Sequence, residues 1–353
     1  VPIGHTQPGE DALPEHRAIL YLRAILENPK KEFVGHDLGF VATVLARHGI
    51  ELGPMVSDTM PASFLMNAGR KSHDLPGLAL TWLRHRMASL EDEEGEPQAA
   101  CAETPVAQMT PVAAARVQML RLLREPMHAS LAEQDLAAVY QEVDLPLVPV
   151  LARMQGRGIG LDSDFLERYG SELVEAIEEA KLPTWKHAGR EFNSASPKQL
   201  AQILFEELGL PVIKKTKTGA STDASVLEEL AAQHDLPAAI LRYRMLAKLK
   251  STYVDMLPDA VDARTGRIHT HFHQAVTVTG RLQSERPNLQ NIPIKTAKGR
   301  EIRKAFVACD DEHVLLSADY SQIELRVIAE ISGDEALRQA FVDGADIHQS
   351  TAA

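Results

Sequence analysis

The 353-residue chain holds only two cysteines, Cys101 and Cys309, too few for a disulfide framework. That scarcity fits a reducing compartment, and a cytoplasmic protein is expected. No apolar run approaches the roughly 18 to 20 residues of a membrane helix, so no membrane partner is expected. The opening Val1-Pro2-Ile3-Gly4-His5 lacks both a methionine and the basic-then-apolar layout of a signal peptide. At the other end, Ile347–Ala353 carries no Gly or Pro stop signal. A fragment of a longer protein is therefore expected. What is present, 44% apolar and 24% charged residues, suits a globular chain of two or three domains.

The net charge of −12 argues, taken whole, against a polyanionic partner. Its distribution reverses that inference. Residues 181–308 hold 20 Lys and Arg against 12 Asp and Glu, whereas the rest holds 17 against 37. A basic middle between acidic flanks suits a nucleic-acid reader, and equally an ordinary solvated basic face.

Helical spacing is read in Phe33–His48 and Ser63–Arg86, separated by a Gly53-Pro54 turn signal. Residues 91–98 and the Ala/Thr/Pro-rich run to Pro111 read as a flexible insertion. Helical spacing resumes at Ala113–Leu123, and Gly156-Arg157-Gly158 reads as a domain junction. A long helix is expected from Asp162 to Lys181, a second begins at a Ser196 cap and stops at Gly209, and a third runs from Leu236 to Leu257. Between them the loop Lys214-Lys215-Thr216-Lys217-Thr218-Gly219 and the basic residues Arg242, Arg244, Lys248 and Lys250 give an arm with a basic tip and face. His269, His271 and His273 alternate as on one strand face, and the lack of a nearby Cys or carboxylate argues against zinc there. His313–Ala318 is predicted to be a buried strand with Asp319 at its end. Asp319 reads either as a helix cap or as a carboxylate for chemistry. Ser321 and Glu324 have the Ser-x-x-Glu spacing of a capping box.

Ser317-Ala318-Asp319-Tyr320-Ser321-Gln322-Ile323-Glu324-Leu325-Arg326 resembles the first palm motif of the DNA polymerase I family, the family A DNA polymerases. Thr279–Pro293 resembles that family's template and primer contact segment, Arg244–Pro258 its thumb helix, and Asp346-Ile347-His348 the start of its fingers. The matches lie in the family's order and spacing. The resemblance implies an α+β protein with a degenerate RNase H-like exonuclease-type domain in 1–128 and a connector in 129–160. A helical thumb in 161–260 and part of a β-sheet palm, with the start of the fingers, in 261–353 would follow.

The implied activity is DNA-directed DNA synthesis: a primer 3′-hydroxyl attacks a deoxynucleoside triphosphate while two Mg²⁺ ions clamp the attacking and leaving oxygens. By resemblance Asp319 bridges the metals, the Tyr320 backbone carbonyl completes one site, and Glu324 crowds the sugar 2′ position to exclude ribonucleotides. Ser321, Gln322 and His348 would join it around the incoming nucleotide. Arg281 would test pair geometry in the minor groove, with Asn288, Gln290 and Asn291 adding contacts to primer-template DNA. Phosphates would be held by Lys295, Lys298, Arg300 and Arg303, by Lys248 and Lys250, and by Lys214, Lys215 and Lys217 at the tip. A monomer is expected.

Proofreading is not expected. Val41 occupies the position of one exonuclease carboxylate, and between Glu103 and Glu125 stand no acid and no Tyr, with Arg116 near the expected place. Asp37 and Asp58 are the acids left nearby. The family's fingers helix and second palm carboxylate would follow Ala353, so the isolated chain is not expected to polymerise. Competing readings are a catalytically silent DNA-binding fragment, against which Asp319, Glu324 and Arg281 weigh, and a single-subunit RNA polymerase relative, against which Glu324 weighs.

Overall fold

The computed structural model describes residues 13–87, 104–217, 219–308, 310 and 312–345. The chain divides into two compact units, Val1–Cys309 and Asp310–Ala353.

The first unit mixes helices with short strands around three apolar cores. In its N-terminal part Phe33–Gly35 pairs in parallel with Met55–Asp58. Helices Leu38–Arg47 and Thr59–Met66 begin directly behind these strands. The expected helix over Phe33–His48 is therefore a strand, a left-handed turn at Asp37 (φ 54°) and a shorter helix. Strands of three and four residues are too short to reveal a period of two in the sequence. The long helix Val106–Glu133 buries Met119, Leu123, Met127 and Leu131 against Leu75, Leu78 and Tyr140. Val106–Pro111, expected to be part of a flexible insertion, forms the first turns of that helix, whereas the acidic stretch before it lies outside the described residues.

Leu145–Arg157 leads through Gly158 into the central strand region of a four-stranded antiparallel sheet. The strand order there is Phe306–Val307, Ile159–Leu161, Arg267–Ile268, Val261–Asp262. Gly158 has φ +63°, and a Cβ placed on it would stand 2.7 Å from the Ile268 carbonyl oxygen, so the junction requires glycine. The strand expected from Arg267 onward is broken: Arg267–Ile268 joins this sheet, and His271–His273 forms a separate hairpin with Gln283–Glu285.

Ser163–Ala188 and Asp235–Leu249 pack along each other, the latter continuing through the π-helical Lys250–Val254. Leu166, Leu173, Tyr243 and Leu249 share one core with Ile268, Ile302 and Ala305 of the sheet region, so helical arm and sheet are fused at their base. A separate core at the far end of the arm collects Phe192, Leu200, Ile203, Leu204, Leu227 and Ile240. Ser196 caps its helix by accepting the Gln199 N–H, and Gly209 takes φ +64° just past the helical stretch, both as its sequence signals predict.

In the second unit His313–Ala318 forms no strand. Val314 and Leu316 are 88% and 91% exposed, which corrects the expected buried strand. A strand needs a hydrogen-bonding partner, and among the described residues none pairs with this segment. Helices Ile323–Ser332 and Glu335–Val342 follow, and the Arg326 guanidinium lies 4.5 Å from the Phe341 ring centroid.

Candidate active site and nucleic-acid interface

Asp319 and Tyr320 stand in a segment without regular secondary structure, both exposed, just before the turn that starts Ile323–Ser332. No hydrogen bond or ion pair engages the Asp319 carboxylate among the described residues. Gln322, in the left-handed region with φ 52°, occupies the N-cap position, which leaves Ser321 one residue outside it. The Ser321 carbonyl accepts from Arg326 Nε at 3.1 Å. Glu324 sits exposed in the first helical turn, where the helix dipole favours an acid. The local fold thus brings Asp319, Tyr320, Ser321, Gln322 and Glu324 into one short stretch, while His348 lies outside the described residues. Among the described residues no group of three His, Cys, Asp or Glu side chains is placed to hold a metal.

Arg281 is exposed on the connection between the strands His271–His273 and Gln283–Glu285. The neighbouring amides are partly occupied at home. Gln290 Oε1 accepts the Ser284 N–H at 2.6 Å, and its Nε2 donates to the Leu282 carbonyl at 3.0 Å. Asn288 Oδ1 accepts the Gln290 N–H at 3.0 Å. The Asn291 carbonyl accepts the Tyr253 hydroxyl, which ties this loop to the helical arm. Asn288 and Gln290 therefore shape the loop that carries Arg281.

A residue that sequence patterning did not single out anchors the same hairpin. Gln155 is buried on Leu145–Arg157, beside the buried Leu151 and Ala152. Its Oε1 accepts the Phe272 N–H at 2.6 Å and lies 2.9 Å from His271 Nδ1. Its Nε2 donates to Thr43 Oγ1 at 3.0 Å, and its carbonyl lies 2.7 Å from His269 Nδ1. One polar residue on a buried helix face was the only signal available. His269 Nε2 lies 2.7 Å from Thr265 Oγ1, and His273 Nε2 lies 3.0 Å from Glu285 Oε1. His269 and His271 thus lie within hydrogen-bond distance of Thr265 and Gln155, and the carboxylate beside His273, Glu285, is one that sequence spacing did not reveal.

The basic residues separate into two kinds. Arg244 turns inward and donates to the Thr222 carbonyl, and burial holds its pKa below the ordinary value. Lys214 pairs with Asp223 and Lys250 with Asp255, each at 2.7 Å. Lys215, Lys217, Lys248 and Lys295 are exposed.

The acids of the N-terminal part have structural work. Asp58 is 1% exposed and accepts three backbone N–H groups, from Asp37 at 3.0 Å, Leu38 at 2.7 Å and Met60 at 3.0 Å. Tyr140 grips its backbone, the Asp58 N–H donating to the phenol oxygen at 2.7 Å and the hydroxyl to the Asp58 carbonyl at 3.0 Å. Burial pushes the Asp58 carboxyl up to about 6, against the lowering effect of its backbone hydrogen bonds. Asp37 accepts the Phe40 N–H as a helix cap. Burial likewise brings His36 down to about 4, and its Nδ1 lies 2.8 Å from Thr59 Oγ1.

Comparison with known proteins adds an independent line. The sequence profile described as DNA polymerase family A matches residues 163–353. DNA polymerase I of Pseudomonas aeruginosa is 43% identical over 361 residues, covering 100% of this chain and 39% of that protein. DNA polymerase I of Bacillus subtilis is 41% identical over 329 residues, covering 93% and 37%. Among solved structures, the POL domain of Pol1 from M. smegmatis, in complex with DNA primer-template and dNTP, superposes with a TM-score of 0.82 at 35% identity. That match covers 96% of this chain and 56% of the other. The chain spans about two fifths of the length of these curated relatives.

Proposed function

The chain belongs to DNA polymerase family A, and from that premise we propose that it is part of a DNA-directed DNA polymerase extending a primer 3′-hydroxyl with deoxynucleotides. The observation that carries the reading is Asp319: an exposed carboxylate without a hydrogen-bond partner among the described residues, directly ahead of a helix whose first turn holds Glu324. Hard oxygen donors suit Mg²⁺, and Asp319 with the Tyr320 carbonyl supplies two of them, so these groups fit as part of its site. When bound, Mg²⁺ supplies charge neutralisation at the reacting phosphate. Asp319 offers one acid of a site that takes a second.

Around that centre Glu324 crowds the sugar 2′ position, and Ser321, Gln322 and His348 complete the nucleotide pocket. Arg281 follows the minor groove at the primer end, held by the loop that Asn288, Gln290 and Asn291 build. Lys295, Lys248, Lys250 and the tip residues Lys214, Lys215 and Lys217 meet phosphates, a role supported by the net positive charge of residues 181–308. Residues 161–260 act as thumb and 261–353 as palm with the start of the fingers, joined through 129–160 to an exonuclease-like domain in 1–128. That domain is a scaffold without proofreading, because Asp58 and Asp37 are committed to backbone N–H groups. The protein works as a cytoplasmic monomer on primer-template DNA and deoxynucleoside triphosphates. Among the described residues no helix is long and apolar enough to cross a membrane.

Primer extension by the complete polymerase tests the reading. Asp319→Ala is expected to abolish extension while primer-template affinity stays at the wild-type value. Extension at the wild-type rate overturns the assignment.

A further inference from the structure

A groove of about 1340 Å³ runs between the Leu38–Arg47 helix, the segment that follows it, the Leu145–Arg157 helix and the Asp262–His271 stretch. We propose that this groove binds a single strand of nucleic acid through its phosphodiester backbone, at a place separate from the primer-template interface. It is larger than the roughly 300–1,000 Å³ typical of small-molecule pockets, which suits an extended ligand.

Four arginines and three acids line it, and their pairing leaves a positive surplus, Arg264 being taken up by Asp262. Arg47, Arg153 and Arg157 line it, all exposed, and no side-chain hydrogen bond or ion pair engages their guanidinium groups among the described residues. Of the three lining acids, Asp262 is taken by Arg264 at 3.1 Å, and Glu27 accepts the Glu51 N–H at 3.3 Å and pairs with Arg23 at 3.7 Å. Only the Glu51 side chain offers the groove a carboxylate without a named partner. Arg153 and Arg157 stand one turn apart on the same helix face, about 6 Å along the axis. Like charges at that spacing repel and destabilise a helix, a cost that an anion lying across both would offset. A guanidinium fork is shaped to take phosphate oxygens in pairs.

This groove is not the place of the missing exonuclease acids. Ala42, Thr43, Ala46 and Arg47 line it, and at 100° per residue Val41 falls on the opposite side of the same helix. The chemistry it offers is charge with little stacking, since its lining rings are the imidazoles of His269 and His271.

The test needs no templated synthesis, so its failure is separable from failure of the polymerase reading. Binding of a labelled oligothymidylate of roughly 20 nucleotides to the 353-residue chain is followed by fluorescence anisotropy across salt concentrations. Arg47→Ala/Arg153→Ala/Arg157→Ala is expected to weaken binding about tenfold or more and to reduce the slope of log K against log salt by about 2. Affinity for blunt duplex is expected to stay within about twofold, because the same charges do not serve the duplex. The triple Lys variant should keep the wild-type slope. In parallel, photo-crosslinking of an iodouridine-bearing strand to wild-type protein should label peptides from 42–53 or 146–157, a readout that does not depend on any variant folding. Unchanged single-strand affinity, equal loss for duplex, crosslinks only elsewhere, or full displacement by millimolar inorganic phosphate would each overturn the proposal, the last by marking a free-anion site.

Discussion

Asp58 and Asp319 occupy the same kind of place in the chain, each closing a short stretch of apolar and small residues just before a helix, yet their surroundings are opposite. Asp58 ends a paired strand, is 1% exposed, has its backbone held by Tyr140, and accepts three backbone N–H groups. Asp319 follows an unpaired, exposed segment, and its carboxylate is engaged by none of the described residues. A carboxylate at a strand end is therefore not a chemical group by virtue of its position. Its oxygens can meet a metal only if the fold has not already spent them.

The strongest way to break this comparison is to remove the buried member. Asp58→Ala leaves three N–H groups of two helix starts without an acceptor and is expected to cost about 3 kcal/mol of stability. Urea unfolding reads the loss, and a destabilisation below about 1 kcal/mol would show that water replaces the carboxylate easily.

Next in size is the pH dependence. The folded state holds the Asp58 proton up to about 6 against 3.8 ordinarily, so its contribution to stability is lost as pH rises from about 4 to about 6. His36 resists protonation down to about 4 against 6.5, so its contribution is lost as pH falls through nearly the same window. The two slopes oppose, so the contributions of Asp58 and His36 to wild-type stability are expected largely to cancel in that window. Asp58→Asn should leave stability that rises with pH, and His36→Gln stability that falls, each by up to about 3 kcal/mol. Flat profiles in both variants would disprove the opposition.

The smallest expected effect belongs to the open member. Asp319→Ala should change the stability of this chain by less than about 0.5 kcal/mol, because nothing in the described fold leans on it. A larger loss would place Asp319 with Asp58 among the structural acids.

Much of the helical arm was legible because its signals are local. The Ser196 cap and the Gly209 stop are set by residues within one turn of each other. The motif around Asp319 was equally legible in type and order. The parallel strand pair was not, since Phe33–Gly35 and Met55–Asp58 are too short to show a period and depend on each other across the chain. Gln155 escaped notice because its partners Thr43, His271 and Phe272 are more than a hundred residues away. His313–Ala318 misled because an apolar run marks what a strand would bury and says nothing of whether a neighbour pairs with it.

The amino-acid sequence by itself determined the family, the order of its motifs and the segregation of basic from acidic stretches, because these are properties of residue type and spacing. Only the tertiary structure decided which acids are spent and which are open. Asp58 meets Leu38 twenty residues back and Tyr140 eighty-two residues on. Burial and hydrogen bonding across such distances are made by packing, and no local pattern records them.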